Sequence, residues 1–192
     1  KLAEFESGLK KYKRLVELND SAASLLLSGA RPIVLAPRRA DVGVAAAVAP
    51  ASAELGVMLP YSPLHHLLAA DAAETLVMTS GNVSDEPIAY RDEEARERLC
   101  GIADWFLTHD RPIHVRADDS VVRAFRGREL PLRRSRGFAP QPLGLPWPFP
   151  RHVLACGAEL KHTFCLAKDG HAFVSHHIGD LEDYETFRSF TE

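Results

Sequence analysis

Thr79-Ser-Gly-Asn82 follows a short apolar run, Leu76 to Met78, and leads into Val-Ser-Asp-Glu-Pro-Ile88. Two hydroxyls, an amide and a glycine in consecutive positions bring hydrogen-bonding groups together on a pliable backbone. At the carboxyl end of a buried strand they suit phosphate and ribose oxygens, because open α/β sheets bind ligands at that edge. The bland alternative is a turn that caps the next segment. Further along, Arg116-Ala-Asp-Asp-Ser-Val-Val-Arg123 turns into a β-branched strand just after Ser120. Leu130-Pro-Leu-Arg-Arg-Ser-Arg-Gly-Phe-Ala-Pro140 then presents Arg133, Arg134 and Arg136 beside Gly137. Guanidinium forks match phosphate and carboxylate oxygens. Thr79, Ser80, Asn82, Ser120, Arg134 and Arg136 together have the chemistry of a nucleotide site.

Those groups need a scaffold, and the pattern predicts an α/β (α+β) fold with a mixed, twisted sheet. Lys10 to Leu27 has apolar residues at helical spacing, and Arg31-Pro-Ile-Val-Leu35 reads as a buried strand with its proline at the start. Leu55 to Pro60 leads into Tyr61-Ser-Pro-Leu-His-His-Leu-Leu68, where Pro63 suits a first helical turn and Leu64, Leu67 and Leu68 an apolar face. His65 would then face the site, so Tyr61 and His65 are secondary candidates beside the plainer role of a structural histidine. Tyr90 to Ala103 reads as a surface helix with Asp92, Glu93 and Glu94 in its first turn and Glu94 four residues before Arg98, its charges a solvated face. Trp105 to Thr108, Ser120 to Phe125 and Glu129 to Arg133 are further strands, with Arg126-Gly-Arg128 as a turn.

Pro140-Gln-Pro-Leu-Gly-Leu-Pro-Trp-Pro-Phe-Pro150 holds five prolines, which oppose both a helix and a central strand and mark a linker. After it, Val153 to Gly157 reads as a strand, and Thr163 to Ala167 with Ala172 to Ser175 as a hairpin about Lys168-Asp-Gly170. Lys161 lies between them, either as a cation for a phosphate or as a solvated loop lysine. Asp180-Leu-Glu-Asp-Tyr-Glu-Thr-Phe187 begins a capped helix.

The bulk properties are those of a soluble globular protein. Of 192 residues, 46% are hydrophobic and 26% charged, and the formal charge of −3 gives no general attraction to nucleic acid or to an anionic membrane. No apolar run approaches the roughly 20 residues of a membrane span, so a cytoplasmic location is expected. Three cysteines, Cys100, Cys156 and Cys165, lack paired-ligand spacing and read as buried reduced thiols. Adjacent histidines, as in His65-His66 and His176-His177, point to opposite sides of a strand, and no metal site is expected within the chain.

Thr79 to Ile88, Arg111-Pro-Ile-His-Val-Arg-Ala-Asp-Asp-Ser-Val-Val-Arg123, Leu132 to Pro140 and Gly157-Ala-Glu-Leu-Lys-His-Thr-Phe-Cys-Leu166 resemble, in order and spacing, the HypF family of hydrogenase-maturation carbamoyltransferases. The resemblance runs from about Ser28 to the last residue. It implies a YrdC-like domain over residues 1–139 incomplete at its N-terminus, a proline-rich linker at 140–150, and the truncated start of a Kae-like, sugar-kinase/Hsp70-type domain at 151–192. Lys161 and the following hairpin then take the phosphate-hairpin layout of that second fold.

The resemblance also implies a reaction. ATP and carbamate, the latter released from carbamoyl phosphate upstream, would give carbamoyl adenylate with Mg2+ assisting. The carbamoyl group would then pass to the C-terminal cysteine of a HypE-type acceptor. Ser80 and Asn82 would serve the adenylate, Ser120 a phosphate, and Arg134 or Arg136 would neutralise it. The family's zinc-binding cysteines and second-domain metal ligands fall outside this chain, its early basic motif is not recognisable, and His162 and His176 stand where amides are expected. Two other readings stay open, an antibiotic O-carbamoyltransferase and a YrdC-like RNA-binding module; the acidic charge argues against the second.

Overall fold

The protein, seen in a computed structural model, is described over residues 2–40, 42–72, 75–84 and 86–191; Lys1 and Asp85, which belong to segments singled out above, lie outside them. The chain divides into two compact units, one formed by Lys1–Met78 with Asp119–Arg133 and the other by Thr79–Asp118 with Arg134–Glu192.

The first unit is built on a mixed four-stranded sheet in the order β2-β1-β3-β4, from β1 (Ile33–Pro37), β2 (Glu54–Val57), β3 (Val121–Phe125) and β4 (Arg128–Arg133). β1 runs parallel to β3 and antiparallel to β2, with Val34 opposite both Val57 and Val122. Val34 and Val122 are wholly buried and Val57 nearly so. This row of β-branched side chains fits the pleat of a half-buried sheet. β3 returns into β4 through Arg126 and Gly127, both at positive φ (51° and 74°), the conformation of a tight hairpin turn that glycine adopts without steric cost. Pro131 is tolerated because β4 is an edge strand.

Two helices precede the sheet where the sequence suggested one helical stretch. α1 (Leu2–Leu15) ends at Val16, which bridges to Arg38, while the Glu17 amide donates to Pro37 O at 2.8 Å. That backbone commitment to the end of β1 breaks the helix. α2 (Asp20–Leu27) restarts under an N-cap, with the Asn19 side chain accepting from the Ala22 amide at 2.8 Å. It packs on β1, β3 and β4, and its Leu26 is fully buried. Tyr12 of α1 donates its hydroxyl to Met58 O at 2.5 Å, and burial raises its pKa above the ordinary tyrosine value. α3 (Pro63–Ala72) begins at Pro63 as expected, yet Leu67 and Leu68 of its apolar face are exposed.

The second unit contains α4 (Asp92–Leu99), β5 (Leu143–Cys156), β6 (Phe164–Val174) and α5 (Tyr184–Thr191). The proline-rich segment, read as excluding a helix and a central strand, enters a strand from Leu143 onward, though not a central one. Among the described residues β5 pairs with β6 alone, and its register slips between Gly144 and Phe149 and again between Phe149 and Val153, around Pro146, Pro148 and Pro150. A two-stranded ribbon has no central strand, so each missing N–H costs one local bond rather than a ladder. β6 is not straight. Eleven residues at about 3.3 Å each would part its ends by roughly 36 Å, yet the Ser175 amide donates to Phe164 O at 2.8 Å. The strand therefore folds back near Asp169, which has φ 52°, and this is the hairpin expected about Lys168-Asp-Gly170.

Three other expectations fail. Leu76 to Met78 and Trp105 to Thr108 form no strand; Val77 is 73% and Trp105 92% exposed. An apolar run becomes a strand only where a partner supplies its ladder, and the four strands of the sheet include neither segment. The surface helix is shorter than Tyr90 to Ala103. Cys100 and Cys156 are exposed and Cys165 half-buried rather than all buried, and all three are free. Replacing Leu26 with alanine should destabilise the first unit by about 2–5 kcal/mol, read as a lowered urea midpoint, whereas Leu67→Ala on the exposed face should leave it within about 0.5 kcal/mol.

Candidate functional site

The nucleotide candidates divide between the units. Tyr61, His65 and Ser120 belong to the first; Thr79, Ser80, Asn82, Arg134, Arg136 and Lys161 belong to the second. In the first unit Tyr61 and His65 do come together, their rings edge to face with centroids 4.5 Å apart. Ser120 precedes β3, accepts the Ile33 amide on its carbonyl at 2.8 Å and is fully buried. It sits at the start of the parallel β1–β3 ladder.

In the second unit Thr79 and Ser80 are exposed and Asn82 half-buried, on a loop that holds its own shape. The Ser80 hydroxyl donates to Asn82 Oδ1 at 2.5 Å, Asn82 Nδ2 donates to Val83 O at 2.9 Å, and the Ala89 amide closes the loop on Gly81 O at 2.9 Å. These bonds leave a hydroxyl and an amide presented side by side from a fixed turn. α4 supplies the support. Arg98 donates to Glu86 and to Pro87 O, and pairs with Glu94 one turn earlier on its own helix. Sequence reasoning found the Glu94–Arg98 spacing but treated these charges as a solvated face; the Glu86 partner, distant in sequence, carries no periodic signal.

The two arginines separate. Arg134 gives Nη1 to Val174 O at 2.8 Å and Nη2 to Phe138 O at 2.7 Å and Gln141 O at 2.5 Å. Its guanidinium thus ties the turn after Arg134 to the end of β6. Arg136 is half-buried, and its amide donates to Asp118 O at 3.1 Å. Beside them His177 donates its amide to Arg134 O at 2.9 Å. Burial holds the neighbouring His176 below the ordinary histidine value; Asp118 opposes that shift and Arg116 adds to it.

Lys161 is exposed, with φ 53° and its amide donating to Asp180 Oδ1 at 2.5 Å. The loop around it is tight: the Gly157 amide donates to Thr163 O at 2.8 Å, and a Cβ on Gly157 would meet that same oxygen at 2.7 Å. Glycine is required there by space. His162 is buried, with Nδ1 at 3.1 Å from Ala158 O and its ring edge-on to Phe190 of α5. α5 is capped by Asp183, whose carboxylate accepts the Thr186 amide at 2.8 Å, within the segment expected to begin a capped helix. Among the described residues no group of three or more His, Cys, Asp or Glu could hold a metal ion, and no helix is long and apolar enough to cross a membrane.

Comparison with known proteins divides the chain at a different place, since the first matched region takes in Thr79–Asp118 of the second unit. The Sua5/YciO/YrdC family model, described as Telomere recombination, matches residues 2–135. The chain belongs to the Sua5/YciO/YrdC family. The match reaches well before Ser28, so the family extends further toward the N-terminus than the motifs alone suggested. A second model, the HypF Kae1-like domain, matches residues 149–192. Curated relatives include Carbamoyltransferase HypF of Synechocystis sp., 45% identical over 174 residues, covering 91% of this chain and 23% of the relative. Carbamoyltransferase HypF of Rhodobacter capsulatus is 45% identical over 181 residues, covering 93% and 24%. Among solved structures, full-length HypF in the phosphate- and nucleotide-bound form aligns with a TM-score of 0.85 at 43% identity, over 95% of this chain and 29% of that one. HypF of T. kodakarensis aligns with a TM-score of 0.88 at 35% identity, over 95% and 24%. The resemblance to HypF drawn from four motifs is borne out, and the chain spans about a quarter of the length of these relatives.

Two outcomes follow from the geometry. Arg134→Ala, which leaves carbonyls without their donor, should cost about 1.5–3 kcal/mol of stability in urea unfolding. The second concerns pH. Because His176 binds a proton less readily folded than unfolded, its contribution is complete above the unfolded value of 6.5 and is lost as pH falls below it. Unfolding midpoints measured from about pH 7.5 down to 5 should therefore drop, and His176→Gln should flatten that slope.

Proposed function

We propose that this chain carries the adenylate-forming part of a carbamoyltransferase of hydrogenase maturation and the opening of the domain that completes the transfer. The observation that carries the reading is the order of the two matched regions, YrdC type and then HypF Kae1-like, in a chain whose relatives are named carbamoyltransferases. The substrates are ATP and carbamate drawn from carbamoyl phosphate, the acceptor is the C-terminal cysteine of a HypE-type protein, and the compartment is the cytoplasm. In domain terms, residues 1–139 are YrdC-like, 140–150 connect, and 151–192 open the Kae-like domain.

The chemistry asks for positioning and charge neutralisation. A carbamate oxygen attacks the α-phosphorus of ATP, the new O–P bond forms as the bond to the bridging oxygen breaks, and pyrophosphate leaves. Fixed donors aimed at the phosphoryl oxygens lower that barrier without reorganising. Asn82 Nδ2 gives one hydrogen to Val83 O and keeps a second for a phosphoryl oxygen, while the Ser80 hydroxyl must turn from Asn82 Oδ1 to donate there. Thr79, exposed beside them, adds a hydroxyl at the ribose or phosphate edge. Arg134, which holds three carbonyls, or Arg136 would neutralise the phosphate. Ser120, closed to solvent, accepts the Ile33 amide on its carbonyl and so fixes the β1–β3 ladder of the first unit. Mg2+ would enter on the triphosphate as part of the substrate and offset charge on its oxygens.

The test is carbamoyl-phosphate-dependent ATP–pyrophosphate exchange in the full-length protein. Asn82→Ala should lower exchange by about 10²–10³-fold. Unchanged exchange would remove Asn82 from the site, and carbamoylation of a sugar hydroxyl in place of a protein thiol would redirect the reading to an antibiotic O-carbamoyltransferase.

A further inference from the structure

We propose that Arg98 of α4 is the positioning residue of the Ser80–Asn82 loop, holding it ready for nucleotide; the inference rests on the adenylation reading above. Ser80 and Asn82 shape the outgoing limb of the loop, and the Ala89 amide bonded to Gly81 O at 2.9 Å closes it. On the returning limb, among the described residues, the Glu86 amide donates to Val83 O at 3.0 Å. Arg98 adds to this support. Its Nη2 reaches Glu86 Oε2 at 2.6 Å and Pro87 O at 2.9 Å, while Nη1 is occupied by Glu94 of the same helix.

Three features make this a clamp rather than an ornamental surface pair. The Arg98 side chain is only 22% exposed, so solvent screens it less than a fully exposed ion pair. One planar fork serves acceptors on two separate segments, which a lysine's single nitrogen cannot reproduce in the same geometry. Arg98 also stands between two carboxylates, Glu86 and Glu94, so its removal leaves like charges facing each other across the joint. Burial works against its charge, but the bonds to both glutamates outweigh it, and the Arg98 pKa is raised. Next to it, Leu99 places its Cδ1 at 3.6 Å from where a Gly81 Cβ would lie, so the end of the helix borders the loop near Gly81 as well as at its return.

A loop that samples open states binds nucleotide with an affinity reduced by the competent fraction, while saturation restores the rate. In the full-length protein, Arg98→Gln should therefore raise the KM for ATP in the exchange reaction by about tenfold while leaving kcat near wild type. Arg98→Lys should recover only part of the loss, and Glu86→Gln should shift KM in the same direction from the other partner. Hydrogen exchange at the Glu86 and Ala89 amides should speed up in Arg98→Gln, a readout independent of turnover. Amides that remain protected, or a KM for ATP unchanged despite faster exchange, would overturn the positioning role. Exchange activity indifferent to Asn82→Ala would instead sink the adenylation reading on which that role depends, leaving a loop clamp with faster amide exchange as a separate structural fact.

Discussion

The parallel pairing of Ile33–Leu35 with Val121–Arg123 is the constraint on which the first unit depends. Segments far apart in the chain must meet in register before either gains anything, and the entropy of closing that loop is offset only when Val34, Val122 and Leu26 leave water together. The pairing also dictates a topology. The chain leaves the first unit at Met78 and returns at Asp119, so the Thr79–Asp118 excursion begins with the Ser-Gly-Asn loop and ends beside Ser120 in sequence. Sequence segments with the richest chemistry thus sit at the three points where the chain passes from one unit to the other, Met78 to Thr79, Asp118 to Asp119 and Arg133 to Arg134.

The second unit solves a different problem, since much of its backbone lies outside regular ladders. It relies on single side chains that reach several carbonyls or carboxylates at once. Arg134 gathers three main-chain oxygens, Arg98 joins a helix to a loop, and Asp180 holds the Lys161 amide. Such charged bonds are individually stronger than neutral ones. They also mean that an arginine in a basic motif is not by default a ligand-binding arginine, as Arg134 illustrates.

The local signals in the sequence were read where they were self-sufficient. The Arg126-Gly127 turn, Pro63 at a helix start, the strand after Ser120 and the fold-back near Asp169 each follow from short-range chemistry. What failed depended on partners elsewhere in the chain. Leu76 to Met78 has strand composition but no ladder to join, and Trp105 to Thr108 likewise. The prolines from Pro140 to Pro150 exclude a central strand but permit a broken two-stranded ribbon. For the candidate site, residue types were legible, but their commitments were not: nothing in the spacing distinguished Arg134 from Arg136, or linked Arg98 to Glu86.

The account turns on whether the Thr79–Asn82 loop receives nucleotide. Hydrogen–deuterium exchange of the full-length protein with and without ATP measures this directly. The account predicts slowed exchange at the Gly81, Asn82 and Val83 amides on adding ATP, with further slowing when carbamoyl phosphate is present. Protection confined to other parts of the protein, with these three amides unchanged, would contradict it.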